Sequence, residues 1–176
     1  MQNKNRIQQA EINIKIYHRD GLIKRKAPDE NIIKIYQKNS HESLKVADYL
    51  FKKDISTLWV IVCSYYAMYY MANAVLYKMG YKVGDKISHK VTSDALIYYV
   101  RDKLEEKLLE DFEKAKKEAL ELTKLTANDL IESFEFERMK RSRFQYNMLE
   151  SIKISKAETS LNRSKKFVFE MEKLLM

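Results

Sequence analysis

Apolar residues recur at spacings of three and four along most of this chain, and that period predicts helices rather than strands. Over 28–52 the positions Ile32, Tyr36, Ser43, Ala47 and Leu50, with Ile33, Ile35, Leu44 and Phe51 beside them, mark one broad buried face. Pro28, Asp29 and Glu30 open that helix, because proline tolerates the first turn and acids suit the positive end of the helix dipole. Asp54 is placed to cap a second helix over 55–79, and Gly80 suits the left-handed position just past its end. Ser88 is placed to cap a third, which runs through Ala95, Leu96, Tyr99 and Val100.

From Leu104 onward Leu108, Phe112, Ala115, Ala119, Leu122 and Thr126 keep a spacing near 3.5 amid mixed charge, which predicts a long amphipathic helix. Thr126 and Asp129 have capping-box spacing, so a restart and a change of direction are expected near 126. Ser155 and Glu158 repeat that spacing before Leu161, Phe167, Val168, Met171, Leu174 and Leu175, which predicts a closing helix that starts there. Residues 1–27 have weaker periodicity and a basic run at Lys24, Arg25 and Lys26; they read as a basic arm or short helix that orders on contact. The expected architecture is all-α, an up-and-down bundle of four to five helices over 28–176.

Composition narrows the classes further. Three glycines and one proline in 176 residues, with none of either after Gly84, leave little material for tight turns, so a sandwich, a barrel or a glycine-rich phosphate loop is excluded. Cys63 is the sole cysteine, which forbids an internal disulfide and fits a reducing cytoplasm. The first twenty residues mix charges and lack the apolar block of a secretory signal. The stretch 55–77 carries no charge and is long enough to span a bilayer. Its five tyrosines and scattered Ser, Thr and Asn are spread along its length rather than gathered in two belts, which predicts a central bundle helix and no membrane span.

Thirty-three basic and 25 acidic residues give a net charge of +8, unevenly placed. Residues 1–38 carry +5, 39–100 carry +2, 101–137 carry −5 and 138–176 carry +6. The densest cluster is Arg138, Lys140, Arg141 and Arg143, interleaved with Phe144 and Tyr146. Cations beside aromatic rings suit phosphate and base contacts on RNA; the plainer alternative is a solvated helix end with core aromatics. His18, His41 and His89 stand far apart with no second ligand at helical spacing, so neither a metal site nor another cofactor site is expected. Carboxylates fall in salt-bridge patterns such as DKLEEKLLEDFEKAKKE, and Cys63 lies in the most apolar segment as a core thiol.

Two stretches resemble a known family. CSYYAMYYMANAVLYKMG, followed by SHKV, is similar to the "YYA…A…L…G…SHK" signature of HEPN domains, small helical domains often encoded beside minimal nucleotidyltransferases. RSRFQYNM and the helix KAETSLNRSKKFVFEMEKLL resemble that family's Arg-rich motif and closing helix. The resemblance spans about residues 40–175 and implies a homodimer with a basic cleft where two copies meet. Family ribonucleases pair an arginine with a histidine four to six residues on. Arg141 matches the arginine, but Tyr146, Asn147 and Met148 occupy the places where the histidine belongs. A base for the 2′-hydroxyl works best when it titrates near neutral pH, and tyrosine titrates near 10, so Tyr146 is a weak substitute.

Arg141 keeps the capacity to bind phosphate, with Arg138, Lys140 and Arg143 beside it. Ser64, in the central helix, is a further candidate for the cleft, against the alternative of a core serine bonded back to its own helix. His89 belongs to the SHK element, where ordering the loop is the simpler role. The expected function is RNA or nucleotide binding, as one half of a toxin–antitoxin-like pair with a minimal nucleotidyltransferase. Two alternatives stand: an active metal-independent ribonuclease with an altered base, and a non-catalytic scaffold holding a protein partner through the amphipathic helix at Leu108 and Phe112.

Overall fold

The computed structural model describes residues 4–135 and 143–176, with side chains over 4–124 and 154–176. Among the described residues six α-helices dominate: α1 (Lys4–Arg19), α2 (Glu30–Lys52), α3 (Thr57–Lys78), α4 (Ser88–Ala95), α5 (Glu106–Glu135) and α6 (Arg143–Glu172). A π-helical turn, Leu96–Val100, and a 3₁₀ turn, Arg101–Lys103, join α4 to α5. The all-α expectation holds. Among the described residues 28–176 hold five α-helices, within the four to five expected there, and 4–19 adds a sixth, a full helix where an arm or short helix was expected.

The centre of the bundle is α3, whose buried residues include Ile61, Tyr65, Met68, Met71, Leu76 and Tyr77. It packs against α2, α5 and α6. By length and composition α3 would pass for a membrane span, yet 67% of its apolar window is covered by the rest of the protein. Apolar residues around most of its circumference are what a helix surrounded by neighbours requires. On α5, Leu108, Phe112, Ala115 and Ala119 turn inward, and Phe112 stacks on Phe167 of α6 with ring centroids 5.4 Å apart. Leu108 and Phe112 are thus already taken up by the core, so they are not a free face for a partner chain.

Several helix ends differ from expectation. Asp29 caps α2 by accepting a hydrogen bond from the Asn31 amide at 2.8 Å. Ser56, not Asp54, caps α3 through the Trp59 amide; Asp54 takes φ 49° in the turn before it. The residue preceding α4 is Ile87, at φ 44°, and Ser88 is already helical. Neither expected restart occurs: α5 runs through Thr126 and α6 runs through Ser155. A capping-box pair is compatible with a helix interior, and with no glycine or proline after Gly84 nothing forces a break.

One small sheet interrupts the helical pattern. Strands β1 (Ile23–Arg25) and β2 (Tyr81–Val83) pair antiparallel with Ile23 opposite Val83 and Arg25 opposite Tyr81. Gly80, at φ 87°, turns the chain out of α3 and accepts the Lys26 amide at 2.9 Å. A Cβ at Gly84 would stand 3.2 Å from the Leu22 carbonyl oxygen, to which the Gly84 amide donates. The ribbon fastens the end of α1 to the end of α3. With Ala10, Ile14 and Tyr17 buried against α4 and the π-helical turn, α1 is part of the fold rather than a loose arm.

Candidate functional site

The most concentrated chemistry among the described residues lies where α1, α3, α4 and α5 meet. At the start of α4 the half-buried ring of His89 packs against three tyrosines of α3, with centroids 5.5 Å from Tyr65, 5.7 Å from Tyr66 and 4.6 Å from Tyr69. These tyrosines follow the helical period, 65, 66 and 69, and so share one side of α3. The Tyr65 hydroxyl and His89 Nδ1 are hydrogen-bonded at 2.8 Å. Burial pushes the Tyr65 phenol far above its ordinary value. Burial, with the nearby Lys116 ammonium second, pushes the His89 imidazole below 6.5. The pair is therefore neutral at pH 7, a phenol against an imidazole.

One turn further along α4 lies a buried carboxylate. Asp94 is 1% exposed. It pairs with Arg6 at 2.6 Å and accepts hydrogen bonds from Asn13 and Tyr17, both at 2.8 Å. Such a charge is tolerable only with its hydrogen-bonding capacity filled, and α1 supplies all three partners. Burial works against the charge on Arg6, but Asp94 and Glu113 outweigh it and hold the guanidinium more firmly protonated. Burial and the bond to Asp94 keep the Tyr17 phenol protonated.

Glu113 of α5 links the two parts. It meets Arg6 at 3.2 Å and Lys116 at 3.0 Å, and accepts from Ser93. Lys116 also donates to Ser93 at 2.8 Å. Beyond Lys116 an open groove of about 550 Å³ follows α5, carrying Lys114, Lys117 and Lys124 with Glu113 and Glu121 around Leu120. Lys116 belongs to both: it lines the groove and acts electrostatically on His89. Cations held in place beside a neutral hydrogen-bonding ring can take an anion such as a phosphate. Among the described residues no three His, Cys, Asp or Glu side chains gather as a metal site.

The residues singled out from sequence fall differently. Arg138, Lys140 and Arg141 lie outside the described residues. Arg143 and Tyr146 stand in the first turn of α6, where the backbone is described and the side chains are not. Ser64 is fully buried in α3, and among the described residues its hydroxyl has no hydrogen-bond partner, so the bond back to its own helix is not made. Cys63 is half-buried and its thiol is pushed up by burial, which suits a core thiol.

Sequence reasoning weighed His89 but missed Asp94, Arg6, Glu113 and Lys116. The available signal was Ser93–Asp94, two polar residues inside the apolar run VTSDALIYYV, at positions a helix would bury. In comparisons with known proteins no family model, no curated protein and no solved structure matches this chain, so the likeness to HEPN domains is carried by the quoted motifs alone.

Proposed function

We propose that this chain is a HEPN-type helical protein that acts as a homodimer, binds RNA or nucleotide phosphate, and serves as one half of a cytoplasmic toxin–antitoxin-like pair with a minimal nucleotidyltransferase. Arg141, with Arg138, Lys140 and Arg143, is the phosphate-binding centre. The observation that supports the reading is Lys116, fixed by Glu113 and Ser93 and acting on neutral His89, at a groove that also carries Lys114 and Lys124, with Lys117 paired to Glu121. That arrangement offers an anion both charge and directed hydrogen bonds. Binding is favoured over turnover, because the position aligned with the family's histidine is Tyr146, whose ordinary titration near 10 leaves it protonated at pH 7.

Anisotropy of a labelled single-stranded RNA tests the reading. Each neutralised phosphate contributes a slope of about −0.7, so four contacts imply a loss on the order of 50-fold between about 50 and about 200 mM salt. Arg141→Ala is expected to weaken binding and flatten that slope. Wild-type protein that fails to bind at low salt, or Arg141→Ala binding as tightly as wild type, would overturn it.

A further inference from the structure

His89 is held differently from the other two histidines. His18 and His41 both spend Nε2 on the protein, His18 at 2.8 Å from the Tyr99 hydroxyl and His41 at 2.6 Å from a Glu172 oxygen. His89 spends Nδ1 instead, on Tyr65. Its Nε2 has no partner among the described residues, and it is not one of the enclosed unpaired polar atoms there, which are the hydroxyls of Ser64, Tyr77 and Ser160. Nothing among the described residues therefore closes over that nitrogen, although Tyr65, Tyr66 and Tyr69 hold the ring that carries it.

The surroundings decide which nitrogen bears the proton. Tyr65 is fully buried, and His89 is the sole partner of its hydroxyl among the described residues. If that hydroxyl accepted from Nδ1–H, its own proton would need another buried acceptor, and among the described residues none is there. So the phenol donates, Nδ1 accepts, and the imidazole keeps its proton on Nε2. A general base must present a lone pair, whereas this ring presents a donor. Lys116 is prepared in the same way. Its side chain is 17% exposed, against 39% or more for every other lysine that pairs with an acid among the described residues. Glu113 and Ser93 fix its ammonium and leave one N–H without a partner among the described residues.

We propose that His89 binds RNA rather than cleaving it: its Nε2–H donates to a backbone phosphate in the field of Lys116, and Tyr65 is the positioning residue that keeps the proton on that nitrogen. The inference rests on the RNA-binding reading above and assigns atoms to it. A ring kept only for packing would use its faces and Nδ1 and leave Nε2 idle. A carboxylate on a protein partner could accept from the same nitrogen, but the half-buried rings of Tyr66 and Tyr69 suit the base that accompanies a backbone phosphate. The same tautomer removes His89 as a stand-in for the histidine that the Arg141 motif lacks.

Two-bond proton–nitrogen correlation spectra of the full chain, recorded with and without a short oligouridylate at low salt, read the tautomer directly. His89 Nε2 is expected to show the shift of a protonated nitrogen and Nδ1 that of an acceptor, with Nε2 moving more when RNA is added. A proton found on Nδ1, or His89 signals that stay fixed at saturating RNA, would overturn the proposal. Tyr65→Phe is expected to bring both tautomers into the spectrum. RNA anisotropy adds the affinities, for variants first checked for an unchanged melting curve. His89→Asn, which keeps an acceptor for Tyr65 but does not reach the Nε2 position, should bind about tenfold more weakly, and His89→Gln, which does reach it, should stay near wild type. His89→Asn binding like wild type while Arg141→Ala is weakened would overturn this inference and leave the proposed function standing. Wild type that binds no RNA at low salt removes both. Oligoglutamate that moves Nε2 as far at the same concentration, or inorganic phosphate that does so while RNA does not, would overturn the assignment to RNA.

Discussion

His89 and Asp94 lie on the same short helix and face opposite electrostatic conditions. The imidazole is held below its ordinary value of 6.5, so the folded state gives up its proton more readily than the unfolded chain. Between the two values the unfolded state binds more protons, and stability rises with pH. The contribution of a neutral His89 is therefore complete above about 6.5 and shrinks as pH falls through that value. Urea melts at several pH values, compared with His89→Gln, should show an advantage for wild type that narrows on acidification; a constant gap would contradict the account. Asp94 is expected to behave as the anchor of α1. Asp94→Ala leaves Arg6 and Tyr17 facing a void and should cost about 3–5 kcal/mol in denaturant unfolding. In a double-mutant cycle with Arg6→Met the losses should fall well short of additive. The place of His89 beside the SHK element was legible in the sequence. The role of Asp94 was not, since its partners sit on α1, where weak periodicity hid a buried face formed by Ala10, Asn13, Ile14 and Tyr17.

Among the elements, apolar period identified α2, α5 and the closing part of α6, and the uncharged run identified α3, which is buried on most sides; on α2 the inward face is narrower than expected, with Ile33 and Ala47 buried but Ile35 exposed. Ends were less legible. Asp54 and Ser56 are both good capping residues, and the choice fell to Ser56 because Asp54 takes up the left-handed turn. The three-residue strands are too short to carry an alternation of their own, and they pair across the whole of α2 and α3, so no hairpin signal announced them. Capping-box spacing at Ser155–Glu158 misled for a different reason: the same residues fit a helix interior when nothing interrupts the backbone. Lys156→Pro separates the two cases. At the first position of a helix that begins at Ser155, proline would be tolerated; within the continuous α6 it is expected to cost about 3 kcal/mol and lower helical circular dichroism. An unchanged melting temperature would contradict the uninterrupted helix.

For the molecule as a whole, scarcity of glycine and proline was enough to predict a helical body, and the dispersed tyrosines of α3 were enough to set it at the centre. Those tyrosines prove to serve two ends, packing the core at Tyr65 and Tyr77 and surrounding His89 at Tyr65, Tyr66 and Tyr69. The charge is unevenly placed along the chain. Positive excess lies toward both termini, at the ribbon in the first part of the chain and around Arg141 in the last, while many acids of α5 are engaged internally, as Asp111 and Glu118 are with Arg163.

The central claim joins two copies of the chain to one RNA. Light scattering on a sizing column, run at low salt with and without a single-stranded RNA, measures both at once. The account expects a dimer of this 21.0 kDa chain that takes up RNA and releases it as salt is raised. A monomer that elutes free of RNA at low salt would contradict it.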